Sequence, residues 1–249
     1  MPYQPRVFAG VEVVALCDAV GPMGAAISRP LPELFPGGSF AADEEWVLHF
    51  HCHLLRAPGG TVLVDTGIGA LDSPASGWAP VPGRLEAELA AVGVTPEDVD
   101  VVILTHLHSD HASGAVVNGA PAFPNARYVI QQTELDWSGG GLMRDRVIRP
   151  LKDALETVHR TAEPIPGIRV ALAPGHTPGH QIVEVGDLII SGDALLHEAQ
   201  LADPSIRYLY DDDQETAVKT RTALLNRATV LATSHFADPF TPVRSGDTA

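Results

Sequence analysis

The chain has 249 residues, 45% hydrophobic and 19% charged, a globular composition long enough to enclose a site within a deep core. Sixteen Lys and Arg stand against 31 Asp and Glu, a formal net charge of −15. No basic run is present to neutralise phosphates, which excludes nucleic acid and anionic membrane surfaces as expected partners. Cys17 and Cys52 form no CxxC pair, so they are read as reduced core thiols rather than a disulfide or thiolate zinc framework. The N-terminal MPYQPRVFAG has no apolar run of signal-peptide length and no segment is long enough to span a membrane; a cytoplasmic protein is expected.

In chain order, strands are expected at 7–17, 46–55 and 61–66, the last two joined by the turn APGG. Between the first two, residues 21–45 carry too many Pro and Gly for a regular element and read as a long loop or lid. A helix is expected over 84–94, then a buried strand VDVVILT, a strand ARYVIQ, a helical QTELDW and, past the break at 138–144, a further helix over 144–161. Strands return at 168–173, 180–186 and 187–191, followed by an amphipathic helix over 213–229 and a last strand in VLATSHF. Lys219, Arg221 and Arg227 have the spacing of a solvated helix face, and His159 reads as solvated too. With no linker or repeat, one domain over 1–249 is expected. Early and late strands with helices between them suit two sheets covered by helices.

Two histidine clusters compete for a metal. WVLHFHCHLL places His49, His51 and His53 on one face of a strand, whereas THLHSDH places His106, His108, Asp110 and His111 directly after a buried strand. The second packs four nitrogen and oxygen donors into six residues, a set suited to zinc, iron, manganese or cobalt, and able to serve two ions. Further donors follow other strands: His176 in APGHTPGH, Asp193 in SGDALL and His235 in ATSHF. No carboxylate or second-strand donor accompanies the first cluster in sequence. It is therefore assigned to structure.

HxHxDH, then GHTPGH, then GD after a strand, then a late SH resemble the metallo-β-lactamase superfamily of metallohydrolases, over residues 65–235. The resemblance implies an α/β fold, an αββα sandwich of two mixed sheets flanked by helices. It implies a first ion on His106, His108 and His176, a second on Asp110, His111 and His235, and Asp193 bridging both. Zinc is the expected metal, with manganese, iron or cobalt as alternatives. Asp65 of LVDTG matches an aspartate that holds a ligand imidazole, and His180 a residue that supports the site. Asp110 is the candidate catalytic residue, steering the attacking hydroxide and passing its proton to the leaving group.

APGHTPGHQ, GDALLH and ATSHF look most like the branch of acyl-homoserine lactonases and methyl parathion hydrolase-like enzymes. That implies hydrolysis of a lactone or carboxylic ester, with thioesterase and phosphotriesterase activity as alternatives, and homodimers are common in the branch. A non-hydrolytic metal-binding regulator or scaffold is the reading from another class. One position departs from the pattern: lactonases of the branch carry tyrosine three residues after the bridging aspartate, where this chain has Leu196. His197, Tyr208 or Tyr210 could replace it, and Met23 and Phe35 of the loop 21–45 could supply an apolar pocket wall.

Overall fold

The computed structural model describes residues 3–41 and 44–243. Strands β1 (Arg6–Phe8), β2 (Val11–Pro22), β3 (Val47–Ala57) and β4 (Gly60–Val64) form an antiparallel meander, interrupted after β2 by the short helix α1 (Leu31–Leu34). Helix α2 (Leu85–Ala91) leads to β5 (Val101–Ile103), and helix α3 (Ser109–Ala112) to a small hairpin of β6 (Val116–Val117) and β7 (Ala120–Pro121). Next come β8 (Arg127–Gln131), helices α4 (Gln132–Trp137) and α5 (Arg149–Leu151), and β9 (Leu155–Val158). Strands β5, β8 and β9 extend the first sheet in parallel, to seven strands ordered β1-β2-β3-β4-β5-β8-β9. The second sheet takes β10 (Thr161–Ile165), β11 (Ile168–Leu172), β12 (Gln181–Val185) and β13 (Leu188–Ile190). Past helices α6 (Ala199–Ala202) and α7 (Gln214–Leu225) it is completed by β14 (Val230–Ala232) and β15 (Phe240–Pro242), in chain order across its width.

Side-chain alternation makes the layers. Val62, Val64, Val101 and Ile103 of the first sheet meet Val183, Val185, Leu188 and Ile190 of the second, while Leu63 and Val102 point outward onto Leu85 and Leu89 of α2. On the far side Ile189 and Leu231 pack with Leu224 of α7. The result is an αββα sandwich. Among the described residues no helix is long and apolar enough to cross a membrane.

Three expectations are corrected. Residues 144–161 are helical only to Leu151; 155–158 pair with β8 as an edge strand, because their backbone completes the sheet. Residues 21–45, read as a long loop or lid with no regular element, contain the end of β2 and the helix α1, whose Leu31 and Leu34 are buried with Phe35 in a third apolar cluster with Leu48, Phe50 and Ile68; residues 42–43 lie outside those described. Arg221 is fully buried rather than solvated, donating to the carbonyls of Ala194, Pro204 and Ile206 and so pinning the chain that follows Asp193.

Candidate metal centre

Parallel pairing sets where the site lies. Because β4 runs parallel to β5, and β13 to β14, the residues after them leave at carboxyl ends: Asp65, His106, Asp193 and His235. His108 follows in the same loop and Asp110 and His111 enter through α3, while the turn after β11 brings His176. Asp65 takes φ 59°, a left-handed conformation that an aspartate tolerates and that turns its carboxylate across the strand ends. That carboxylate accepts from the Thr105 backbone N–H at 2.7 Å and lies 2.8 Å from His111 Nδ1.

All seven donor side chains converge in two sets. His106 Nε2 lies 3.1 Å from His108 Nδ1, and His176 Nε2 lies 2.9 Å from the same atom and 3.2 Å from Asp193 Oδ2. In the other set His111 Nε2 is 3.3 Å and His235 Nε2 3.5 Å from Asp110 Oδ2, and they stand 3.1 and 3.2 Å from Asp193 Oδ1. The two oxygens of one carboxylate therefore face different histidine sets. Metal–nitrogen bonds near 2.05 Å give a tetrahedral edge of about 3.3 Å, the scale of these separations. Asp193 Oδ1 and His111 Nε2 are buried without a hydrogen-bond partner among the described residues, which leaves their lone pairs for a cation. The residues present fit a dinuclear centre.

The opposite ring nitrogens are held from behind. His106 Nδ1 lies 3.0 Å from Thr105 Oγ1, His176 Nδ1 2.9 Å from Asp211 Oδ1, and His235 Nδ1 donates to the His49 carbonyl at 2.8 Å. Each contact fixes the ring so that Nε2 points into the site. Burial works against charging these rings, yet the carboxylates of Asp193, Asp110 and Asp65 hold His111 well above the ordinary imidazole range, and Asp193 and Asp211 raise His176 to about 9. Burial and the neighbouring His176 push His108 down to about 3.

A profile of the metallo-beta-lactamase superfamily matches residues 49–235. The chain belongs to the metallo-β-lactamase superfamily. Within it, the chain is 31% identical over 145 residues to the N-acyl homoserine lactonase AiiA of Bacillus thuringiensis subsp. kurstaki, covering 52% of this chain and 55% of that one. It is 29% identical over 220 residues to the N-acyl homoserine lactonase AttM of Azorhizobium caulinodans, covering 74% and 81%. The chain spans about half the length of the first curated relatives it matches. Among solved structures, the hydrolase AbOPH superposes with a TM-score of 0.81 at 23% identity, covering 99% of this chain and 94% of that one. AidC, a dizinc quorum-quenching lactonase in complex with a product, superposes with a TM-score of 0.78 at 19% identity, covering 99% and 98%. At such identities the likeness is one of fold.

Metallo-β-lactamase motifs led to the donors but not to what carries them. His180 Nε2 accepts the backbone N–H of Asp193 at 3.0 Å, so it positions the carboxylate that faces both histidine sets. Gly192 between them has φ +48°, and a Cβ there would meet His180 Nε2 at 2.6 Å. Asp211 and Glu134 were missed. Asp211 sits in the acidic run 211–213, which reads as the lead-in to a helix, and Asp213 is indeed the N-cap of α7. Glu134 looks like an exposed residue of QTELDW. It is instead fully buried, accepting from Leu107 N at 2.9 Å, Thr177 Oγ1 at 2.7 Å and Gly179 N at 3.0 Å. No local signal marks a helix carboxylate that ties two distant loops together.

Above the donors lies a cleft of about 200 Å³, walled by Met23, Ile27, Leu48, Trp78 and Leu196 with Tyr208 and Tyr210. Two expected pocket residues do not line it: Phe35, expected in its wall, and His197, expected as a possible replacement for the tyrosine. Phe35 is fully buried beneath the wall, and His197 packs against Phe35 and Phe40 with ring centroids 5.1 and 5.2 Å apart, because Leu31, Leu34 and Phe35 fold inward onto that cluster.

Proposed function

We propose that this chain is a dinuclear metal-dependent hydrolase that opens an acyl-homoserine-type lactone, with Zn²⁺ as the metal. One observation carries the reading: the Asp193 carboxylate presents one oxygen to each histidine set at the floor of an apolar cleft. His106, His108 and His176 would hold one ion, Asp110, His111 and His235 the other, with Asp193 between them. Two ions bound there supply Lewis acidity, lowering the pKa of water toward neutrality and polarising the carbonyl. The curated lactonase relatives and the lactonase folds support the substrate class.

Asp110 lines the cleft with its carboxylate beside His111 and His235, placed to take the proton from the attacking water and return it to the departing alkoxide. Of the three replacements for the missing tyrosine, Tyr208 fits. Tyr210 donates its hydroxyl to the Ile27 carbonyl at 2.7 Å, and His197 is packed behind the wall. Tyr208 borders the cleft with its ring stacked on His176 at 6.2 Å. Burial and the Asp193 and Asp110 carboxylates keep its hydroxyl protonated and able to donate to a carbonyl oxygen. In Asp110→Asn, assayed at metal content matched to wild type, turnover should fall about 10²–10⁴-fold, and in Tyr208→Phe about 10²-fold. Undiminished kcat in either metal-loaded variant removes that residue's role.

The reading as a whole is tested by assaying metal-loaded protein on acyl-homoserine lactones, aryl esters, thioesters, phosphotriesters and β-lactams. Highest kcat/KM is expected on lactones bearing an apolar acyl chain. Preference for phosphotriesters or thioesters would replace the substrate class, and two bound ions with no hydrolysis of any panel member would leave the regulator or scaffold reading.

A further inference from the structure

The other histidine cluster, WVLHFHCHLL, acquires a partner that its own strand does not supply. In the pairing of β2 with β3, Cys17 stands opposite His51, and a β-bulge at Asp18 shifts the register so that Val20, not Ala19, stands opposite His49. Paired residues share a face, so Cys17 joins His49 and His51 on one side of the sheet. The extra residue, Asp18, turns away and its carboxylate accepts from the backbone N–H groups of Ile68, Arg84 and Leu85.

The three side chains meet. One donor atom of each of Cys17, His49 and His51 lies within 4.8 Å of the others, and Cys17 Sγ is 3.9 Å from His49 Nδ1. Zinc–sulfur bonds near 2.3 Å and zinc–nitrogen bonds near 2.05 Å give a sulfur–nitrogen edge of about 3.6–3.8 Å between tetrahedral and trigonal angles. The Cys17–His49 spacing lies within a few tenths of an ångström of that edge, and His51, within 4.8 Å of both, would close by up to about 1 Å or a little more through side-chain rotation. An independent observation points the same way: His51 is 2% exposed, and neither ring nitrogen has a hydrogen-bond partner among the described residues. The Thr233 backbone, nearby, falls outside hydrogen-bond geometry, and Tyr3 offers only its ring, edge-on at 5.4 Å. A buried imidazole with two unpaired nitrogens is costly unless a ligand uses one. The other two side chains are competent donors: Cys17 Sγ makes a long 3.5 Å contact to the Ala19 carbonyl besides its approach to His49, and burial keeps the His49 ring below and the His51 ring, at about 2, far below the ordinary imidazole range, so both are neutral.

We infer that Cys17, His49 and His51 form a second, mononuclear site for a zinc-class cation, separate from the histidine–aspartate centre. On binding, the Cys17 thiol releases its proton to solvent and the two imidazoles give neutral nitrogen lone pairs. Cys17 and His49 are half-buried, so the fourth position opens toward solvent rather than into the core. The two sites share a strand: His49 directs its ring to this one while its carbonyl accepts from His235 of the other.

Cobalt distinguishes them, because the histidine–aspartate centre contains no thiolate. Metal-free wild type, Cys17→Ser and Cys52→Ser are titrated with Co(II), following near-ultraviolet thiolate-to-cobalt charge transfer and bound metal by elemental analysis. Cys52 is the control, buried on the opposite face of β3 among Leu16 and Leu54. Wild type and Cys52→Ser are expected to develop the band over one equivalent and to hold one ion more than Cys17→Ser, which shows no band. The difference of one ion holds however many ions the histidine–aspartate centre takes, so the two readings fail separately. Equal metal content in wild type and Cys17→Ser, or no thiolate band in wild type, overturns the site.

Discussion

Replacing Asp193 by alanine is expected to lower lactone turnover by about 10³-fold or more and to reduce bound metal. Two ions held there would supply several kcal/mol of transition-state stabilisation, and about 4 kcal/mol corresponds to 10³ in rate. Asp193 faces four of the six other donors, at 3.1 and 3.2 Å through one oxygen and at 3.2 and 3.8 Å through the other. Its loss leaves His111, His176 and His235, whose pKa values its carboxylate helps to raise, and the neutral His106 facing one another without it. The variant is compared with wild type by elemental analysis and by kcat at saturating lactone. Full metal content with turnover within tenfold of wild type would show that the bridging position is dispensable.

Glu134→Ala is expected to cost about 3–5 kcal/mol of folding stability, the largest effect predicted for a residue outside the donor set. Removing the carboxylate strands three buried donors, each worth about 1–3 kcal/mol when left unpaired. Water entering the vacated space would satisfy part of that loss. Gly179 leaves no room to compensate, since even a Cβ there would meet the Glu134 backbone nitrogen at 2.2 Å. Glu134→Gln keeps one acceptor oxygen but sets an amide group against the remaining donors, so it should fall between alanine and wild type. Urea denaturation of the metal-free proteins reads the effect as a lower midpoint at unchanged slope. A loss below about 1 kcal/mol in the alanine variant would mean that water or another acceptor already serves these donors.

Much of the molecule is legible in one dimension because its signals are local. Alternation in TVLVDT and HQIVEVG gives strands, helix spacing marks α2 and α7, and donors directly after apolar strands mark a sheet edge. THLHSDH packs four donors into six residues, so little needs to be known of the rest of the chain to suspect a metal there. Residues 155–158 were misread because strand identity there depends on pairing with β8, which no local pattern carries. Arg221 was misread for a similar reason. Three carbonyls from a separate loop satisfy its guanidinium in the interior.

The sequence by itself determined the donor inventory of the histidine–aspartate centre and the family, since donor type and order along the chain are properties of the chain. Tertiary structure alone decided which groups orient those donors. Asp211, Glu134 and the His49 carbonyl act on partners 27 or more residues away, and hydrogen-bond geometry is not encoded in local spacing. It also decided the meaning of WVLHFHCHLL. Within that strand the histidines are only an alternating face; the register of the neighbouring strand brings Cys17 opposite His51, and a single-residue bulge just after it puts Val20 opposite His49. Register is a long-range property, and one residue of slip exchanges the two faces of a strand.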